Sequence, residues 1–447
     1  LDTAFLEESE QRLVETVGAA QGIAHVNSWL MFTPTELLKQ YLKEAFAREG
    51  VPASDLRIRT WQDYRRELAR NAFGVLRTAT GGGTFVLKDS LPSLRAVALD
   101  RPIQWFVDFN TWQRNAYAQE LREAATMLRE AKDPEIQSLG ERMQSILAQA
   151  GDGVLASTFG SLAAELPKVQ ALVTSLKDAS DGKIKAALNL QLNRNRAFLD
   201  ELARVIDSLQ PAQATDADEQ DDLDAEEEED ATAPRTGRAA ALNAYMQAVR
   251  AQARAAASKR TLSKASRNGK IIEWLADRGL TEVDRADVGA SLLVQTNARR
   301  FVNPVKRYLD GIPKGYRAFR RERQQAGSWY RNEGFEARDI HPLELDVVLL
   351  AVLRAAGDLI SRPSVQRDIE SPAWSALQPI LSHYRNQVLV DEATDFSPIQ
   401  LACMAELAHP RLRSFFACGD FNQRLTTWGS RSADDLKWVF SDFDIKE

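Results

Sequence analysis

The run Val388-Leu389-Val390-Asp391-Glu392 constrains the fold of this 447-residue chain more than any other feature. A compact apolar run suits a central parallel strand buried on both faces, and two carboxylates at its end fall on the sheet edge where ligands of such sheets bind. The pattern recurs in Ser414-Phe415-Phe416-Ala417-Cys418-Gly419-Asp420, which leads to Gln423. Between the two, Ser397-Pro398 opens a helix with a good cap and a first-turn proline, and His409-Pro410 closes it. Nearer the N-terminus, residues 1–17 read as a helix and the segment SWLMF as a short apolar strand. The strand runs into Thr33-Pro34-Thr35-Glu36, with Thr33 the expected N-cap, Pro34 the first helical residue and Glu36 the capping-box partner. That helix extends through Leu37, Leu38, Tyr41, Leu42 and Phe46 to about Gly50, and DLRIRTWQDY reads as a second strand feeding a further helix. These βα units predict an α/β fold built on a parallel sheet.

From about residue 113 to 300 Ala, Leu, Gln, Arg and Glu dominate and β-branched runs are scarce, the composition of an inserted helical domain. The expected division is a first part of the sheet domain over 1–112, a helical accessory insertion over 113–340 with an acidic loop at 211–238, and a second part of the sheet domain over 341–447. An amphipathic stretch, ELDVVLLAVLRAAGDLI, brings the sheet signal back after Pro342. Gly81-Gly82-Gly83-Thr84 reads as a flexible hairpin or loop.

Apolar residues at 44% and charged residues at 27% are those of a chain that folds around buried cores. No apolar run approaches the roughly 18 residues of a membrane span, and the N-terminal residues carry no signal-like core, so a cytoplasmic protein without a membrane partner is expected. The two cysteines, Cys403 and Cys418, form no CxxC pair and are expected to be buried thiols. Charge is distributed unevenly. Asp216 to Asp230 holds eleven acidic side chains and no basic one, and without it the net charge of −6 becomes +5. Such a run is self-repelling and poor in apolar residues, a solvated loop available to a protein partner. Arg250 to Lys270 holds seven basic residues and no acid, and Lys306 to Arg331 holds eight basic residues against Asp310 and Glu322. In the second segment Tyr316, Phe319, Trp329 and Tyr330 alternate with Arg317, Arg320, Arg321, Arg323 and Arg331, offering rings for bases beside guanidinium groups for phosphates.

Two acids at a strand end gain a chemical rationale if Asp391 coordinates Mg²⁺ and Glu392 aligns an attacking water, since phosphoryl transfer rests on metal-held phosphates and a positioned nucleophile. With Gln423 at a neighbouring strand end, the sequence resembles the superfamily 1 helicases of the UvrD/Rep type. DEATDFSPIQ resembles their motif II and GDFNQRLTTW their motif III, while LMFTPTELL looks like motif Ia and IRTW like motif Ib. The resemblance implies a RecA-like sheet of the P-loop NTPase type and coupling of Mg-ATP hydrolysis to movement on single-stranded or partly duplex DNA. It implies that Asp391 holds Mg²⁺, Glu392 is the general base and Gln423 senses the terminal phosphate. Trp428 would stack on a base, and Thr33, Thr35, Thr60 and Trp61 would meet the strand, with Arg317, Arg320 and Arg321 as further DNA contacts.

The sequence departs from the family at defined places. No GxxxxGK followed by Ser or Thr occurs; the only Gly-Lys pairs, Gly182-Lys183 and Gly269-Lys270, are each followed by Ile and lie in the helical insertion. Thr394 stands where motif II usually has Gln, and Thr426 where an aromatic is usual. The resemblance further implies a second RecA-like domain, with an arginine finger, beyond Glu447. Three readings follow: part of an ATP-dependent translocase, a helicase-like module that binds nucleic acid or a protein without turning over ATP, or a helical scaffold in which the DE and GDxxQ patterns arise by chance.

Overall fold

Every strand that the apolar runs forecast from Trp29 onward is present, in a computed structural model that describes residues 28–51, 53–78, 82–149, 155–209, 237–410, 412–423 and 426–440. The helix expected over 1–17 and the acidic run 216–230 lie outside the described residues. In chain order the main elements are β1 (Trp29–Thr33), α1 (Glu36–Arg48), β2 (Ile58–Thr60), α2 (Trp61–Glu67), β3 (Val86–Leu87), α3 (Pro102–Arg129), α4 (Pro134–Ala148), α5 (Phe159–Arg194), α6 (Phe198–Ser208), α7 (Gly237–Ala257), α8 (Arg267–Leu275), α9 (Glu282–Arg299), α10 (Pro304–Gln325), β4 (Asp339–Ile340), α11 (Pro342–Ile360), β5 (Gln387–Val390), α12 (Pro398–Ala405) and β6 (Ser414–Ala417). The chain divides into two units: residues 1–119, 152–160 and 305–447, and residues 120–151 and 161–304.

The first unit is α/β. Its sheet has four strands in the order β2-β1-β5-β6, all pairs parallel, with Thr33 opposite Thr60, Phe32 opposite Val390 and Val390 opposite Ala417. Strands β3 and β4 form a separate parallel pair. Leu30, Phe32, Val388 and Val390, paired across β1 and β5 on one face, are buried, whereas Met31 and Leu389 on the other face are half-buried, so the strands are not sealed equally on both sides as the apolar run suggested. Helix α1 starts later than the sequence suggested. Its N-cap is Thr35, whose Oγ1 accepts the Leu38 N–H, and the Thr33 hydroxyl donates to the Thr35 carbonyl. Pro34 therefore stays outside the helix, and Glu36 is its first residue rather than a capping-box partner.

Helix α11 is buried on nearly all sides rather than amphipathic, which is why its sequence is apolar around the whole circumference. Two of its three carboxylates, Glu344 and Asp346, are fully buried, and each is satisfied. Asp346 Oδ1 accepts the Trp61 indole N–H at 2.9 Å, and Oδ2 accepts Arg65 and the Gln400 amide, each at 2.9 Å. One carboxylate thus ties α2, α11 and α12 together. Glu344 accepts the Ser93 hydroxyl at 2.8 Å and the His341 N–H at 2.9 Å, the second bond closing a capping box on α11.

The second unit has helices and connections but no strand among its described residues, in keeping with the helical composition of this part of the chain. Tyr245, Ala248, Val249 and Ala253 of α7 pack among Phe198 and Leu202 of α6, Ile271 and Leu275 of α8, and Val288 and Leu292 of α9. Ion pairs join its helices, Arg250–Asp181 partly buried and Lys183–Asp287 at the surface.

Candidate functional site

Because all four strands of the main sheet run the same way, the residues following β5 and β6 leave it on the edge that carries Thr33 and Thr60. The ladder continues past the strand ends: Asp391 N–H donates to Phe32 O, Cys418 N–H to Val390 O, and Ala393 N–H to Cys418 O. Asp391 is half-buried, and its Oδ1 accepts the Cys418 thiol at 3.4 Å. Glu392 takes left-handed backbone angles, φ 50° and ψ 48°, and so turns the chain abruptly into the single 3₁₀ turn Ala393–Asp395. A side chain at such angles costs about 1–2 kcal/mol, and strain of this kind gathers where a side chain must be aimed. Among the described residues the Glu392 carboxylate has no hydrogen-bond or ion-pair partner.

The β6 exit is fastened to the β5 exit. A Cβ on Gly419 would lie 2.9 Å from the backbone nitrogens of both Ala393 and Thr394, so only glycine allows this approach. The Thr394 hydroxyl donates to the Asp420 carbonyl at 3.1 Å. Asp420 closes an Asx turn, accepting the Asn422 N–H at 2.8 Å on one oxygen and the Gln423 side-chain amide at 2.9 Å on the other. Further on, the Thr426 hydroxyl donates to the Asp395 carbonyl at 2.7 Å, and Ser430 donates to Phe396 O through both its N–H and its hydroxyl. Asp391, Glu392 and Gln423 therefore belong to one interlocked rim, with Gln423 exposed and attached through Asp420.

The rim is acidic. Burial, followed by repulsion from Asp391, Asp395 and Asp420, lifts the Glu392 carboxyl above its usual range. Burial and the hydrogen bond to Asp391 lift the Cys418 thiol. Asp420 is held below the usual carboxylate range by the N–H groups of Asn422 and Gln423. Among the described residues no group of three or more His, Cys, Asp or Glu side chains could hold a metal alone. Magnesium in phosphoryl transfer takes only one or two carboxylates and completes its shell with phosphate oxygens and water, so Asp391, half-exposed and contacted by one weak thiol donor, fits that group.

The residues expected from the sequence to meet DNA separate into two sets. Thr35, Arg321 and Trp428 are exposed, the last at 42%, and Trp428 borders a small apolar cleft with Leu99, Pro102, Trp105 and Ile399. Thr33 and Thr60 lie on the same sheet edge but are buried, Thr60 as the N-cap of α2. Trp61 is buried against Phe32 with its N–H on Asp346, a core role. Arg320, 2% exposed, pairs with Glu344 at 3.4 Å and donates to the carbonyls of Ala337 and Asp339 instead of reaching a phosphate. Arg317 is half-buried. Tyr316, Phe319 and Tyr330 pack in the core, where Trp105 donates to Tyr330 and Tyr330 to Tyr316. The aromatic side of this segment is thus largely buried, while of its arginines only Arg320 is buried and Arg321 and Arg331 stay exposed. Cys403 is buried as expected, whereas Cys418 is exposed on the rim.

Sequence reasoning gave no structural role to Thr394, Thr426 or Asp346 and read Asp420 only as the acid that ends the second strand. The Gly-Asp-x-Asn order, an Asx-turn signature, was the available signal for Asp420. The pairing of Thr394 and Thr426 across loops, and of Asp346 across helices, has no local signature. The chain matches no protein-family model, no curated protein and no solved structure.

Proposed function

We propose that this chain is part of an ATP-dependent DNA helicase or translocase, with a RecA-like sheet whose strand-end rim handles Mg-ATP. The observation that supports this most is the delivery of Asp391, Glu392 and Gln423 to one open rim by two adjacent parallel strands. In this reading Asp391 would hold magnesium, which when bound neutralises charge on the phosphates. Glu392 orients the attacking water and takes its proton; a carboxyl lifted above the ordinary range, with no partner to satisfy it, suits a base. Gln423 keeps one amide N–H on Asp420 and has a second for a phosphate oxygen. Thr35, Arg321 and Trp428 are the exposed candidates for DNA.

The alternative, a helicase-like module that binds nucleic acid or a protein without turnover, draws on the absence of a GxxxxGK loop from the sequence. ATP turnover with and without single-stranded DNA separates the two. This chain alone should show little turnover, since phosphate binding without that loop is weak. A longer protein carrying this chain should show DNA-stimulated turnover that Glu392→Gln abolishes. An inactive longer protein that still binds DNA establishes the alternative.

A further inference from the structure

The helical unit holds a concentration of charge that the strand-end rim does not use. Of the seven basic residues between Arg250 and Lys270, Arg250 pairs with Asp181 and Arg254 is also engaged. The other five, Lys259, Arg260, Lys264, Arg267 and Lys270, are all exposed and occupy the connection from α7 to α8 and the first turn of α8. Among the described residues none of the five makes an ion pair or a side-chain hydrogen bond, and no acidic residue lies between them in sequence. The other basic segment differs: Lys306 pairs with Asp310, Arg320 with Glu344, and Arg323 with Asp108.

The connection is held in shape. Lys259 takes φ 54°, and Arg260 N–H returns to Ala255 O at 2.8 Å, ending α7 in a left-handed turn. Ser266 caps α8 by accepting the Gly269 N–H at 3.0 Å. A Cβ on Gly269 would lie 2.0 Å from Ser263 O, so the backbone is pressed against the helix start. A fixed backbone carrying five uncommitted cations loses little order on binding a polyanion.

We propose that the α7–α8 connection of the helical unit is a binding surface for the phosphate backbone of single-stranded nucleic acid, formed by Lys259, Arg260, Lys264, Arg267 and Lys270. A nucleic-acid strand is favoured over an acidic protein because the cations come in a run with no interleaved acid, and Leu262, the one large apolar side chain among them, is half-buried, which suits a regularly charged polymer. The surface shares with the reading above only the class of partner and requires no nucleotide.

The test measures binding of a labelled single-stranded oligonucleotide by anisotropy, without ATP, between 50 and 200 mM salt. The proteins are the wild-type chain and the variant combining Lys259→Ala, Arg260→Ala, Lys264→Ala, Arg267→Ala and Lys270→Ala. Each phosphate contact contributes about 0.7 to the logarithmic salt slope, so five contacts give about 3.5 and roughly a 100-fold loss of affinity over that range. The expected result is a steep slope in the wild type that is largely lost in the variant, with unchanged melting because all five side chains are exposed. An unchanged slope in the variant overturns the proposal, as does equal binding of a polyglutamate peptide. So does absence of oligonucleotide binding both by the wild type and by a chain lacking residues 216–230. Glu392→Gln should leave this binding intact, so failure of the ATPase reading is told apart from failure of this one.

Discussion

Asp346→Ala removes the carboxylate on which three helices converge. It leaves Arg65, whose side chain is 7% exposed, without its ion-pair partner, and strips the Trp61 and Gln400 N–H groups of their acceptor. Breaking a buried pair by deleting one side costs about 3–5 kcal/mol. The two further donors do not add their full hydrogen-bond values, since all three bonds vanish with one group, so about 5 kcal/mol is the upper expectation. Asp346→Asn keeps the shape and one acceptor oxygen and should cost less. Combining Arg65→Met with Asp346→Leu removes both charges together; a buried pair replaced by apolar groups is often near neutral, so the double variant should be more stable than Asp346→Leu alone. Urea denaturation followed by far-UV circular dichroism gives the free energies, and hydrogen exchange over residues 61–67 and 387–400 locates the change. The reasoning is refuted if Asp346→Ala falls within about 0.5 kcal/mol of wild type, the range of ordinary surface substitutions, or if Arg65→Met fails to relieve Asp346→Leu.

Glu392 adds a pH dependence. Its carboxyl is raised above the ordinary value of 4.5, so between that value and the raised one the folded chain binds more protons than the unfolded chain, and stability is lost as pH rises through the window. Glu392→Gln should melt higher than wild type at neutral pH and lose that advantage near pH 4; an advantage independent of pH would contradict the repulsion from Asp391, Asp395 and Asp420. Gly419→Ala places a methyl against the Ala393 and Thr394 nitrogens and should cost about 1–3 kcal/mol, with faster hydrogen exchange at 391–396; tolerance without any change would mean that the two strand exits are not locked. Trp428→Ala should weaken single-stranded DNA binding by about 1–3 kcal/mol if its exposed ring stacks on a base, and an unaltered affinity would remove it from the interface.

The strands of the main sheet and the helix starts after Thr60 and Ser397 were legible because each rests on local chemistry, an apolar run or a cap a few residues long. The rim was legible in part: two strand ends named Asp391, Glu392 and Gln423, but the threonines and glycine that fasten one exit loop to the other act across 26 and 31 residues of chain. The burial of Arg320 was illegible for a related reason. Arginines on α10 look identical in sequence whether they meet water or a buried carboxylate, and Glu344, the residue that decides the matter for Arg320, is 24 residues away on α11. Local pattern could not say that α10 turns its aromatic face inward, because the rings that receive it, Phe85, Phe109 and Trp112, come from far upstream.

If this chain belongs to an ATP-driven motor, its strand-end rim must meet a magnesium-bound nucleotide. Hydrogen exchange of the protein with and without Mg²⁺ and a slowly hydrolysed ATP analogue tests that contact without requiring turnover. The prediction is simultaneous protection of the segments around 391–396 and 418–423, dependent on magnesium and abolished by Asp391→Asn. Unchanged exchange in both segments at saturating nucleotide, in a longer protein that demonstrably binds ATP, would contradict it.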